Sequence, residues 1–301
     1  MSKMKDIQKG TTRIIKVIQV SVSFLLCILI IVLGSLTYSI LRYSEVTAFQ
    51  SQFNSATLLI TMSAQGRIQR KVSAASLVDR LYSTAISPHM GSLPNFTLPD
   101  FEVTMEVLCT IAGLRYIAFS PLVTNATRLK WESYAAANVN LLHGPLSLNN
   151  SIDGSWTVAN GIYNISSSNK RSREPTSNIM FPIWQVAPIA ANSALVMYDQ
   201  HSSSLSLNRA TPSVGLQNNS IDTMLKLKGT VFTDFVFLIP DRMNTTRPST
   251  IIYSPIQIGE AGVVGLFSGG FSWDEVLKGI LPLDYKQIDC IVSTKTSKWR
   301  Q

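Results

Sequence analysis

Residues 249–258 read Ser-Thr-Ile-Ile-Tyr-Ser-Pro-Ile-Gln-Ile, and after Gly259-Glu-Ala the chain continues as Gly-Val-Val-Gly-Leu-Phe-Ser-Gly-Gly-Phe, residues 262–271. Both runs are rich in β-branched and aromatic residues, and only three residues separate them. Adjacent antiparallel strands are the economical pairing. A third run of the same character, Thr230–Ile239, precedes them. Beyond them, Ser272 and Glu275 have capping-box spacing for a helix through Leu281, and Ile288–Ser293 reads as a last strand. An antiparallel sheet with covering helices on one side is an α+β arrangement.

Working toward the N-terminus, a helix is expected over Ile221–Leu227, and Ala194–Tyr198 is expected to pair with the extended, proline-flanked stretch Ile179–Pro188 that carries Trp184. Residues 144–177 are rich in Asn, Ser and Gly and include Lys170, Arg171 and Arg173, the composition of a solvated loop. Thr124–Asn140 predicts an amphipathic helix bearing Leu129, Trp131 and Tyr134, and Tyr116–Val123 predicts a strand. Before it, Asp100 is placed to cap a short helix carrying Phe101, Met105, Leu108 and Ile111 and ending near Gly113. Ser87-Pro88 marks a break before it, after which Pro94 and Pro99 hold the segment extended.

Between Ser44 and Ser87 there is no proline and Gly66 is the only glycine. Apolar residues recur there at Phe49, Phe53, Ala56, Ile60, Ala64, Ile68, Val72, Ala75 and Leu81, spacings that make one helical stripe. A stalk helix over 44–88 follows, its stripe packing against a second copy of the chain or against the outer domain. Upstream again, residues 17–41 run from Val17 to Leu41 without a charged side chain. At about 1.5 Å of rise per residue such a helix crosses a hydrocarbon layer of about 30 Å. The run is too long for the apolar part of a signal peptide, so a retained anchor is expected.

The first 16 residues hold Lys3, Lys5, Lys9, Arg13 and Lys16 against Asp6, whereas the far side opens with Arg42 and Glu45. The basic flank predicts a cytoplasmic tail over 1–16 that meets anionic lipid, and an extracellular or lumenal face from residue 44 to 301. Sequons at Asn95, Asn125, Asn149, Asn164, Asn218 and Asn244 all fall on that outer side, as glycosylation requires. That tail also accounts for half of the net charge of +8, and the rest is thinly spread, which argues against a nucleic-acid surface. Cys27 lies within the span; Cys109 and Cys290 face the oxidising side, where they either bridge or are buried separately.

Catalytic signatures are missing from the sequence. No Asp-x-Asp or His-Glu-x-x-His occurs, and His89, His143 and His201 are scattered, so neither a metal nor another cofactor is expected. The Gly259–Gly265 series lacks the lysine of a phosphate loop, and close backbone packing or a tight turn accounts for it. Aromatic and polar residues of Tyr116–Val123 and Ile179–Pro188, namely Tyr116, Phe119, Trp184 and Gln185, form the candidate ligand site.

Several segments carry a family resemblance: Phe101-Glu-Val through Ser120-Pro-Leu-Val123, Thr127-Arg-Leu-Lys-Trp-Glu-Ser-Tyr134, Pro182-Ile-Trp-Gln-Val-Ala-Pro188, and Ser249–Leu281 with its Trp273-Asp-Glu-Val-Leu helix. Across about residues 45–292 the chain resembles the extracellular CHASE sensor region of diatom receptor-type nucleotide cyclases. The resemblance implies PAS-like modules carried on a stalk, here a first module over 89–200 and a second over 215–293, and a small-molecule ligand. It also implies a second span and a cyclase domain, which do not occur before Gln301; a polar tail fills 294–301. The expected function is therefore an anchored sensor fragment, with a type II anchored lumenal enzyme of glycosyltransferase-like layout as the alternative.

Overall fold

The computed structural model describes residues 2–142, 158–165, 171–174, 177–201, 216–233, 248–259, 262–278, 280, 291–293 and 298–300, without the side chains of 2–13, 90, 216–219 and 291–300. Two compact units divide the chain, residues 1–61 and 62–301.

Helix α1, Ser2–Ile86, includes the whole of the first unit's described chain. It is the one helix among the described residues long and apolar enough to cross a membrane. Its large apolar side chains from Ile14 to Tyr43 are exposed, Phe24 at 67% and Leu25 at 69%, so this stretch is not a buried core helix of the described fold. Helical propensity and the missing proline carry α1 on to Ile86, and the X-Pro step at Ser87-Pro88 ends it in a 3-10 turn, Ser87–Ser92.

The second unit is built on a five-stranded antiparallel sheet. Its strands are β1 (Tyr116–Pro121), β6 (Gln185–Ala187), β7 (Val231–Phe232), β8 (Ser249–Gln257) and β9 (Val263–Ser272), in the order β6-β1-β9-β8-β7. The hairpin β8–β9 is the one expected from residues 249–271. Gly259 and Gly262 take positive φ at its turn, and Gly265 meets β1 so closely that a Cβ there would lie 2.8 Å from the Ser120 carbonyl oxygen. Both glycine readings, turn and close packing, hold.

Two corrections concern the arrangement of this sheet. The proposed division into a module over 89–200 and another over 215–293 does not separate it, because β1 pairs with β9 from Tyr116↔Gly270 to Pro121↔Gly265. A strand buried at all six positions must satisfy both of its edges, and β6 supplies only three residues on one side. Helices also do not keep to one side. On the face of Phe119 and Phe267 lie Tyr82 of α1 and Phe101 of α2 (Phe101–Ala112), with ring centroids 5.6 and 6.4 Å from that of Phe267. On the opposite face Gln200 donates to Ser120 Oγ at 2.6 Å, and α5 (Leu216–Leu227) packs along β7 and β8 through Ile221 and Met224.

Smaller elements complete the unit. β2 (Val123–Thr124) pairs with β5 (Ile179–Met180), and α3 (Arg128–Ala137) follows β2 after a turn in which Thr127 Oγ1 accepts from Thr124 N–H at 3.0 Å. Within the expected loop 144–177, β3 (Tyr163–Ile165) pairs with β4 (Arg171–Arg173), and Ile162, Tyr163 and Ile165 are buried. Its polar flanks masked a short apolar strand. Ala194–Tyr198 meets 179–188 as expected, Ile183 N–H donating to the Tyr198 carbonyl at 2.9 Å. A four-residue α4 (Ile189–Asn192) joins the two. After β9 comes α6 (Trp273–Leu277), shorter than the expected helix; β10 (Ile291–Ser293) falls within the expected last strand and pairs antiparallel with β11 (Lys298–Arg300).

The expected caps are not made by side chains. Ser272 and Asp100 occupy the N-cap positions of α6 and α2, yet neither side chain bonds a helix N–H. Ser272 faces into the sheet and is fully buried, and Asp100 sits at φ 51, outside the backbone geometry in which a cap side chain folds back. The C-terminal expectation for α2 holds, since Gly113 takes the left-handed cap with its N–H on the Cys109 carbonyl.

Candidate functional site

The four residues singled out as a ligand site are all buried, at 4% exposure or less; Phe119 and Gln185 are cross-strand partners and Trp184 N–H donates to the Phe119 carbonyl at 2.9 Å, while Tyr116 stands apart from them. Register places Tyr116 and Phe119 on opposite faces of β1. Tyr116 points to the face of Ser268, where burial pushes its phenol well above the ordinary range. Trp184 packs edge-on to Trp131, centroids 6.0 Å apart, and donates from Nε1 to Thr97 Oγ1 at 2.8 Å. Gln185 is committed at both ends of its amide. Its Oε1 accepts from Leu98 N–H at 2.7 Å, and its Nε2 donates to the Leu98 carbonyl at 2.9 Å and to Glu102 Oε1 at 3.3 Å. The side chain thus stands in for a strand partner to Leu98.

The glycosylation candidates divide by exposure. Asn125 is exposed in the turn before α3, whereas Asn164 is only 8% exposed and accepts from Ser172 Oγ inside the β3–β4 pair. Asn95 is half-buried. Asn149, Asn244 and the side chain of Asn218 lie outside the described residues. Cys109 is a free thiol, pushed up to about 12 by burial and by the charge of Glu106, with its Sγ 3.5 Å from the Ala187 carbonyl; Cys290 lies outside the described residues.

On the α1 face of the sheet a cavity of about 20 Å³ is lined by Lys71, Val78, Leu114, Ile117, Ile252 and Phe267. It has room for one water and is far below the roughly 300 Å³ of a metabolite pocket. Lys71 is the unusual lining residue. Only 4% exposed, its Nζ donates to the Ala112 carbonyl at 2.9 Å and to that of Gly113, and lies 5.0 Å from the centre of the Phe271 ring. An ammonium at the carbonyl end of α2 is favoured by the helix dipole. One turn earlier on α1, Arg67 Nη1 does the same for α6, donating to the carbonyls of Glu275, Val276 and Lys278 at 2.9 to 3.1 Å.

Burial pulls the Lys71 amine from its ordinary 10.5 to about 8, opposed by Glu275 and helped by Arg70 and Arg67. The fold thus favours the neutral amine, and stability grows as pH rises from about 8 toward 10.5. In full-length protein, the thermal midpoint of the wild type relative to Lys71→Met should climb between pH 8 and 10. A difference that is flat with pH would show that the amine is not desolvated.

The second polar cluster lies around the start of α3. Arg128, 8% exposed, donates from Nε to Glu132 Oε1 at 2.9 Å, and the same oxygen accepts from Ile162 N–H at 3.1 Å. Glu132 Oε2 takes Arg173 Nη2 at 2.7 Å. Gly161 holds φ 84 against this carboxylate, where a Cβ would come within 2.7 Å of Oε1. Nearby Asp199, 1% exposed, receives Phe181 N–H at 2.7 Å and His201 N–H at 3.2 Å on Oδ1, and His201 Nε2 lies 3.2 Å from Asp222 Oδ1 of α5. Desolvation pushes the Asp199 carboxyl up to about 6, against those two amides and the charges of His201 and Arg128.

Local reading passed over these residues. Lys71 had a signal, since it falls between Ile68 and Ala75 at stripe spacing, a charge where an apolar residue belongs. Arg128 and Glu132 had the weaker one of opposite charges four apart. Asp199 had none. Among the described residues no group of three or more His, Cys, Asp or Glu could hold a metal ion. No protein-family model matches the chain, and no curated protein aligns with it.

Proposed function

We propose that this protein is a membrane-anchored sensor, with its folded unit outside the cytoplasm binding a small molecule and α1 serving as the output element. One observation carries the reading: the helix that contains the apolar span also supplies the folded unit with Val78, Tyr82 and Ile86 for its core and with Arg67 and Lys71 for the carbonyl ends of α6 and α2. A rearrangement of α2 or α6 therefore works directly on α1. The basic tail over 1–16 and the exposed sequon at Asn125 support the outward orientation. Likeness to the CHASE region of diatom receptor-type cyclases, and a PAS-like character of the sheet, belong to the same proposal.

Full-length protein in sealed microsomes should keep everything beyond about Tyr43 from added protease and shift on endoglycosidase treatment. In lipid nanodiscs, a panel of small metabolites should contain at least one that raises the thermal midpoint saturably and is recovered unchanged. Digestion of the folded unit in sealed vesicles overturns the orientation. A panel without a stabilising compound overturns sensing, and consumption of the compound would favour the enzyme alternative.

A further inference from the structure

The apolar stripe of the stalk divides in two. From Ala64 onward it belongs to the folded unit, with Ala64 and Ala75 packed against the core and Ile68 and Val72 half-buried. In the first unit the stripe is open to water at its large residues: Val46 is 54% exposed, Phe49 69% and Phe53 48%, and the two rings stack with centroids 6.2 Å apart. Val46, Phe49, Phe53, Ala56 and Ile60 follow one another at steps of three, four, three and four residues. That is the 3.5-residue repeat of a helix-to-helix seam, narrower than the apolar face a helix lays on a sheet.

We propose that residues 46–60 of α1 pair with the same segment of a second copy of this chain as a short parallel coiled coil, Val46, Phe53 and Ile60 alternating along the seam with Phe49 and Ala56. The charge pattern selects this partner. From Val46 to Gly66 the chain has no Asp, Glu, Lys or Arg, and the positions flanking the seam are Gln50, Gln52, Thr57 and Leu59. Two copies therefore meet without like-charge repulsion, while a charged partner helix finds nothing to pair with. A helix lying on anionic lipid carries basic residues along its polar face, and this one carries none. Each Phe ring leaves roughly 100–150 Å² open, so the four rings of a pair supply on the order of 500 Å², against about 1,200–2,000 Å² for a stable interface in solution. The span makes up the difference: with residues 17–41 of both copies in one membrane, the helices run parallel and in register, at an effective concentration in roughly the millimolar range. Pairing needs that anchor but neither the outward orientation nor a ligand, so it stands or falls apart from sensing.

Single cysteines in full-length protein carrying Cys27→Ala and Cys290→Ala test the seam in native membranes, by copper-catalysed oxidation and non-reducing gels. Val46→Cys, Phe49→Cys and Phe53→Cys should give about tenfold more disulfide dimer than Ser51→Cys, Asn54→Cys and Leu58→Cys, because only seam positions reach the Cβ separation of about 4 Å that a disulfide needs. Cys109 remains in this background and, being buried, should give none. The paired change Phe49→Glu and Phe53→Glu should turn two-copy particles into single copies when those membranes are converted to nanodiscs, with the fluorescence-monitored unfolding midpoint of the folded unit unchanged. Cross-linking equal at all six positions, or absent from the seam, would overturn the proposal, as would a glutamate variant that stays paired. A cross-linked product of another mass, or labels at the seam quenched by brominated lipid, would put a different protein or the bilayer on this face and overturn it as well.

Discussion

Glu132→Ala should destabilise the folded unit by about 3–5 kcal/mol, the cost of stripping a buried charge of its partner. The carboxylate is the single acceptor shared by Arg128 Nε, Arg173 Nη2 and the N–H of Ile162. Alanine removes all three bonds and leaves the Arg128 guanidinium desolvated beside a void. Arg173 contributes least to the loss, because its side chain is 58% exposed and water replaces the carboxylate. Glu132→Gln should fall between, since an amide oxygen still receives Ile162 N–H but cannot neutralise Arg128. Trp131 and Trp184, both fully buried, report the transition by fluorescence during denaturant unfolding of the full-length protein. A loss below about 1 kcal/mol for the alanine variant would mean that Arg128 reaches water when the carboxylate is gone.

Gln185→Leu is the second large effect, at about 2–5 kcal/mol. Leucine has nearly the volume of glutamine, so packing is not the issue. What changes is that the N–H and C=O of Leu98, a residue 1% exposed, both lose the partner that Gln185 provides, at about 1–3 kcal/mol for each group. The result also separates two roles for this residue. Were Gln185 a ligand contact, the leucine variant would keep its stability and change only its response to the metabolite panel. The geometry predicts the reverse order of effects: a fall in the unfolding midpoint first, and any altered response as its consequence.

Elements held by local rules were legible, and elements held by distant partners were not. The hairpin β8–β9 could be read because only five residues separate its two strands and its turn is marked by glycines. The end of α1 was equally plain, as the residue before a proline resists the helical region. By contrast, the partner of β1 lies more than a hundred residues downstream, and nothing in Tyr116–Pro121 says that both of its edges are filled. Faces are also easily misjudged at the end of a stripe. Leu81 looks like the next apolar step after Ala75, yet it is 49% exposed, whereas Ala74, Val78, Tyr82 and Ile86 are buried. The buried polar groups were the least visible. Gln185 reads as a pocket residue until its two bonds to Leu98 are seen, and Asp199 gives no hint of burial because its neighbours Gln200 and His201 are polar as well.

Arg67 and Lys71 stand four residues apart on one helix, and each closes the carbonyl end of a different short helix. One extra residue inserted between them would rotate Arg67 about 100° away from Lys71 and shift it about 1.5 Å along the axis, so that only one of the two ends could be met at a time. The folded unit therefore fixes the angular phase of its own part of α1, from Arg67 to Ile86, as well as the contacts made there. Any deletion or insertion between residues 67 and 71 is a change of phase, felt by α2 and α6 together even if every side chain of the core is kept.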